Sequence, residues 1–355
     1  MTTDGPIAWD KFHLRRIIRE NHGKPIVAIA AHPPSPRMSP PNRENIIATL
    51  GGSQCNIYDT AHCGPHTDLI SQYVAPNDVH LTCLTWMPFW PEESDAIIAI
   101  GDETGTVRLL SLTRSAELAR LIPESDNAPG QVLEVHPLRG SPHLLTLHSD
   151  GVRLWDAFSA LCLHHLSFKA SKAVCALAPL PATDDAFYLG TRNGDLSILR
   201  VQHLEGTWNL VKDTTLYTAS QPIRSIQISK DHGVLVQLVS GKLIHLTDSG
   251  DVVKTIPGPK EASFPYMTPQ GTHTLIGDQQ GALHIISLDS GKVDRVLRHK
   301  RATRAIHASV VMSDGRRIYV VGQDGCIWGW EEVSEEELAK WEAWKVMAQK
   351  ASERQ

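Results

Sequence analysis

Gly101-Asp102-Glu103-Thr104-Gly105, followed at once by Thr106-Val107-Arg108-Leu109-Leu110, joins the apolar run Ala96-Ile97-Ile98-Ala99-Ile100 to an alternating strand through a tight turn. The same order of short apolar strand, polar turn with glycine and second strand recurs along the chain. It returns at Ser149-Asp150-Gly151 before Val152-Arg153-Leu154-Trp155-Asp156, at Arg192-Asn193-Gly194, at Ser240-Gly241 and at Asp278-Gln279-Gln280-Gly281. The last copy is Gln323-Asp324-Gly325 before Cys326-Ile327-Trp328-Gly329-Trp330, and an earlier variant, Gly52-Ser53-Gln54 before Cys55-Asn56-Ile57-Tyr58-Asp59, lacks the final glycine. From Gly105 the turn glycines step by 46, 43, 47, 40 and 44 residues. Glycine suits such turns because positive φ costs it little.

A period of roughly 40–45 residues with several short strands per unit is the pattern of a β-propeller of the WD-repeat type. Each unit opens on its own inner strand: Pro25–Ala31, Val79–Met87, Gln131–Pro137, Lys172–Pro179, Pro222–Ser229, Ser263–Pro269 and Arg304–Met312. The count predicts seven blades. An all-β sandwich with a second domain accounts for short strands but not for seven units of the same internal order. Asp10–Ile18 reads as an orphan strand that pairs into the last blade and closes the ring, removing exposed sheet edges. The expected organisation is an N-terminal segment over 1–20, a seven-bladed propeller over 21–333 and a C-terminal helix over 334–355. Within the first blade, Pro33 to Asn42 reads as an exposed Pro/Ser insertion. The tail has a capping box at Ser334 and Glu337, and Leu338, Trp341, Trp344 and Ala348 share a helix face. That face either docks a partner or packs on blade seven; the cost of leaving two tryptophans in water favours packing.

Charge and cysteine usage narrow the function. A net charge of -5 excludes a strongly basic nucleic-acid binder, and no Lys/Arg run exceeds two or three residues, so any nucleic-acid contact must be assembled by the fold. Direct sequence-specific nucleic-acid binding is not expected. Apolar runs fall far short of a membrane span, and no secretory signal opens the chain. Cys55, Cys63, Cys83, Cys162, Cys175 and Cys326 are scattered with no C-x-x-C pair, which points to free thiols and a reducing compartment, nuclear or alternatively cytoplasmic.

No phosphate loop, dinucleotide-binding glycine motif, nucleophile elbow or zinc signature occurs. His62-Cys63-Gly64-Pro65-His66-Thr67-Asp68 has partial metal spacing but lacks a fourth ligand, and reads as a polar loop. His164 and His165 are neighbours in a strand, so their side chains point to opposite faces. Asp102, Asp150, Asp278 and Asp324 could be taken for carboxylates around a channel; the turn reading, in which each holds the same position and bonds its own backbone, is stronger. Trp86, Trp155 and Trp328 read as blade packing. The expectation is a non-enzyme with no cofactor and no metal.

Several stretches go beyond a generic repeat: His22-Gly23-Lys24-Pro25-Ile26-Val27, Leu69 to Val74 followed by Leu81-Thr82-Cys83-Leu84-Thr85-Trp86, Val135-His136-Pro137 with Gly151 to Trp155, and Ala305-Ile306 with Ile327-Trp328-Gly329-Trp330. In this order and spacing the chain resembles the EED/extra sex combs subunits of Polycomb repressive complex 2, most clearly in blades one to three and seven. The resemblance implies a non-catalytic scaffold that binds a SET-domain methyltransferase subunit and other Polycomb subunits. It also implies a face that reads a trimethylated lysine of the histone H3 tail in an aromatic cage, each well-placed ring contributing about 0.5–2 kcal/mol. Carried onto this sequence, the cage positions fall on Val27, Leu81 and the pair Pro265-Tyr266, with Phe264 beside it; His307 completes the candidate face. Only Tyr266 keeps a ring at a matching position, so methyl-lysine reading is expected to be weakened or lost. The competing expectation is an adaptor in a ubiquitin-ligase or RNA-processing assembly.

Overall fold

The computed structural model describes residues 7–33, 45–61, 67–88, 95–123, 130–169, 173–180, 183–229, 233–259 and 261–340, with 343 and 347. Its strands assemble into seven four-stranded antiparallel sheets. Blade one is β2 (Ile26–Ala31), β3 (Ile46–Gly51), β4 (Gln54–Asp59) and β5 (Asp68–Val74). Blade two is β6 (Leu81–Met87), β7 (Ile97–Asp102), β8 (Val107–Ser111) and β9 (Ala116–Leu121). Blades three to six follow in chain order: β10 (Val132–Pro137) to β13 (Leu161–Ser167), β14 (Val174–Pro179) to β17 (Thr207–Thr218), β18 (Ile223–Ser229) to β21 (Val252–Ile256), and β22 (Tyr266–Met267) to β25 (Val293–Arg298).

Blade seven mixes the two ends of the chain. Its inner three strands are β26 (Ile306–Val311), β27 (Arg317–Gly322) and β28 (Cys326–Glu332), and its outer strand is β1 (Phe12–Arg19). β1 runs antiparallel to β28 from Phe12 opposite Glu332 to Arg19 opposite Cys326. The ring therefore closes by hydrogen bonding between chain ends, as the orphan strand predicted. Glu20, just past β1, ties this closure to blade one: its buried carboxylate accepts from Tyr58 Oη at 2.9 Å and from Thr49 and His22.

Burial grades outward within each blade. The second strands β3 and β7 are buried at every residue, because neighbouring blades cover both faces. That is why Ala96–Ile100 is a continuous apolar run instead of an alternating one. The outer strands β5 and β25 are mostly exposed. Trp155 and Trp86 are buried between blades, as expected for packing residues. Trp155 Nε1 donates to Thr146 Oγ1 at 2.8 Å, Thr146 bonds His148 Nε2 at 2.8 Å, and His148 Nδ1 donates to the Gly130 carbonyl at 3.1 Å. This relay ties the second and third strands and the entry loop of blade three together.

The turns correct two expectations. Gly105, Gly194, Gly241, Gly281 and Gly325 do have positive φ, and so does Gly52 in the variant turn. Gly151 does not; it lies in β12 (Gly151–Asp156), where a Cβ would come within 2.4 Å of the Leu166 carbonyl oxygen. Close strand approach, not backbone handedness, demands glycine there. The four aspartates also do not share one position. Asp102 and Asp278 stand three residues before the turn glycine; Asp102 Oδ1 accepts from the amides of Thr104 and Thr106, and Asp278 Oδ1 from those of Gln280 and Ala282. Asp150 and Asp324 stand directly before it. Asp150 pairs with both Arg153 Nη atoms at 2.8 and 2.6 Å, and Asp324 accepts from Cys326 N and Trp328 Nε1.

Beyond β28 the chain is helical over 335–340, and the capping box is made: Glu337 N donates to Ser334 Oγ and Ser334 N to Glu337 Oε2, each at 3.2 Å. Arg15 of β1 pairs with Glu337 at 3.2 Å, fixing the helix start against the closing strand. Trp341, Trp344 and Ala348 lie outside the described residues, as do His62 to His66 and most of the Pro33–Asn42 insertion.

Candidate functional site at the channel mouth

One face of the ring, called upper here, carries the turns between second and third strands together with the connections between blades. The inner strands begin at this face, and six of the seven begin with the same irregularity. In blade one Ile26 is opposite Gly51 and Ala28 opposite Leu50, leaving Val27 unpaired. The equivalent shift leaves Thr82, Leu133, Cys175, Arg224 and His307 unpaired in blades two to five and seven. A bulge releases a residue from the ladder and re-aims its side chain. The repeat thus sets a ring of bulge residues around the upper end of the axis.

Blade six breaks the ring. Its inner strand is only Tyr266–Met267, with no bulge, and it is preceded by Pro265, which has no amide hydrogen to give the ladder. Phe264, just before the proline, is 49% exposed.

The axis itself holds a cavity of about 450 Å³. Its wall is largely aliphatic, including Val27, Ile29, Leu84, Leu177 and Ile226, with Phe264 as its aromatic member. Its polar members include Thr82, Glu134, His136, Ser225 and Gln227. Thr82 Oγ1 donates to the Val132 carbonyl at 2.6 Å, and His136 Nε2 lies 3.0 Å from Glu134 Oε2. That same Glu134 oxygen accepts from Leu177 N at 2.8 Å, so the carboxylate bridges blades three and four. Burial pushes the Cys83 thiol up to about 12, which keeps this cavity-lining sulfur protonated and unreactive. A propeller enzyme would gather several ionisable groups at one mouth of the channel. Among the described lining residues the acid–base content is Glu134, His136 and that inert thiol. Propellers of this kind typically serve as non-catalytic scaffolds. No group of three or more His, Cys, Asp or Glu side chains among the described residues is placed to hold a metal ion, and no described helix is long and apolar enough to cross a membrane.

The candidate face residues separate into two sets. Val27, 38% exposed, and Phe264 both line the cavity. Leu81 is 3% exposed, one residue before the bulge, so blade two brings Thr82, Cys83 and Leu84, and not Leu81, to the cavity wall. Pro265 is buried. The Tyr266 ring packs into the cores of blades six and seven, its hydroxyl donates to the Val311 carbonyl at 3.3 Å, and burial pushes its pKa up to about 12. His307 Nδ1 donates to the Ile26 carbonyl at 2.9 Å, which joins blade seven to blade one.

Sequence reasoning passed over Arg224. Its guanidinium carbon stands 5.1 Å from the centre of the Phe264 ring, and its Nη1 donates to the Ala262 carbonyl at 2.6 Å. Burial lowers its pKa, yet a guanidinium stays charged. One face of the exposed ring of the cavity is therefore taken by a cation from the chain itself. Arg224 and Phe264 are forty residues apart and in different blades, and the only sequence trace of the contact is that Arg224 is the second residue of its inner strand, where the other blades also place a bulge.

No protein-family model matches the chain, and no curated protein matches it at a significant level.

Proposed function

We propose that the protein is the non-catalytic propeller scaffold of a Polycomb-type histone H3 lysine methyltransferase assembly, that it holds the SET-domain subunit, and that it does not read trimethyl-lysine itself. Its place of work in this reading is the nucleus. The partner assignment is supported by the resembling stretches, which lie on inner strand β6, third strands β12 and β28 and outer strand β5, and so spread across blades one, two, three and seven of the closed ring. The loss of reading is supported by one observation above all: the Arg224 guanidinium occupies one face of Phe264, the exposed ring of the cavity. A cage needs two or more free π-faces around an ammonium. Val27 and Thr82 supply none, Tyr266 is turned into the core, and Phe264 is already engaged.

Affinity purification of the tagged full chain from nuclear extract, followed by mass spectrometry, tests the scaffold. Recovery of a SET-domain protein supports it. Recovery of ubiquitin-ligase or RNA-processing subunits without one overturns it.

A further inference from the structure

A second concavity lies on the upper face, away from the axis, where the edge of blade seven meets the connection from blade six. It is a groove of about 760 Å³, within the ~300–1,000 Å³ span of ligand clefts. β1 contributes Ile17 and Arg19, the connection between β25 and β26 contributes Arg301 and Arg304, and β28 contributes Trp328. All three guanidiniums are exposed, and none has an ion-pair partner among the described residues. Arg298 and Lys300, which flank His299 in sequence, are exposed too.

The acidic side chain in the groove, Asp324, is already engaged by Cys326 N at 3.0 Å and by Trp328 Nε1 at 2.9 Å, and does not neutralise the arginines by contact. The connection is also held in place. His299 packs on Trp328 with ring centres 5.6 Å apart, Ala302 N donates to the His299 carbonyl at 2.9 Å, and Ala302 is buried. Arg301 and Arg304 are therefore presented by an ordered backbone, which lowers the entropy cost of binding.

We propose that this groove binds a carboxylate-rich peptide segment of a partner protein, with acidic side chains on Arg19, Arg301 and Arg304 and an apolar side chain over exposed Ile17. Charge complementarity carries the choice. The whole chain has a net charge of -5, so an acidic segment is repelled in general and attracted here. Guanidinium forks match carboxylates. Three arginines drawn from two elements on a partly apolar floor fit a row of alternating acidic and apolar residues. RNA fits less well, because single strands bind on exposed aromatic platforms, and the one indole here is 7% exposed and bonded through its N–H. The site does not depend on the assembly proposed above and is read on the isolated protein.

Fluorescence anisotropy with a fluorescein-labelled (Glu-Leu)4 peptide tests it. The wild-type chain binds this probe in preference to (Lys-Leu)4, and binding weakens as salt rises because exposed charges are screened. The double substitution Arg301→Glu with Arg304→Glu weakens binding roughly tenfold or more, and Arg19→Glu, from the other element, weakens it independently. Lys212→Glu, on the outer strand of blade four, leaves it unchanged. Melting curves that match the wild type show that these surface variants fold. Binding by the double variant within about twofold of wild type overturns the proposal. So does tighter binding of oligouridine that the same variants abolish, which assigns the groove to RNA instead.

Discussion

The Arg224 guanidinium stands 5.1 Å from the centre of the Phe264 ring, and its Nη1 is anchored at 2.6 Å on the Ala262 carbonyl two residues before that ring. The same short stretch thus supplies both the ring and the clamp that holds the cation over it. An incoming trimethyl-ammonium must displace a charge that is already half-buried and hydrogen-bonded.

Calorimetric titration should therefore give similar affinities for trimethylated and unmodified histone H3 peptides. A single contested ring is worth at most about 1 kcal/mol at an exposed site, or roughly fivefold. A preference of about a hundredfold for the methylated peptide would contradict this reading.

The relay in blade three predicts an acid-sensitive fold. Burial, with Arg153 nearby, lowers His148 to about 4, below the ordinary value of 6.5. Between those values the unfolded chain binds a proton that the folded chain refuses, so this contribution is full above pH 6.5 and is lost as pH falls toward 4. The slope approaches 1.4 kcal/mol per pH unit for one such group, about 3 kcal/mol across the window. Urea midpoints compared at pH 7 and pH 5 should fall more for the wild type than for His148→Asn.

Trp155 probes the same relay by volume and by bond. Trp155→Ala should cost about 3–5 kcal/mol, since the side chain is fully buried. Trp155→Phe keeps much of the volume but removes the donor to Thr146, and should cost about 1–3 kcal/mol. Equal denaturation midpoints for Trp155→Phe and wild type would show that the bond contributes nothing.

Two glycines separate backbone strain from collision. Gly206, at φ 78°, has open space around an added Cβ, so Gly206→Ala should cost about 1 kcal/mol. Gly151 has ordinary φ, but its Cβ would meet the Leu166 carbonyl oxygen at 2.4 Å. Gly151→Ala should be the more destabilising in thermal melts, because a backbone carbonyl in a sheet cannot move aside as a side-chain tip can.

Much of the fold was legible because a propeller repeats a local problem. Each blade needs a tight turn, an apolar strand covered on both sides and a glycine or small polar residue at a stated place, and these leave a period that can be read along the chain. The inner strands observed start within three residues of the sequence-predicted starts in every blade. Where local reading misled, the missing term was a neighbour: Gly151 is required by the approach of the β12–β13 pair, and Asp150 by the Arg153 fork, neither of which a turn pattern encodes.

By itself, then, the sequence determined the seven blades, the closing of blade seven by the N-terminal strand and the capped C-terminal helix, since each rests on contacts within one repeat or on the need to cover a sheet edge. Tertiary structure alone decided what the upper face presents. Beside a bulge, Leu81 stays buried while Thr82, Cys83 and Leu84 reach the cavity wall, a proline and a two-residue strand turn Tyr266 inward, and Arg224 crosses from blade five to take one face of Phe264. Arg19 likewise meets Arg301 and Arg304 only because the two ends of the chain share a blade. Residues hundreds of positions apart acquire a joint chemistry when the ring closes, and no local pattern carries that information.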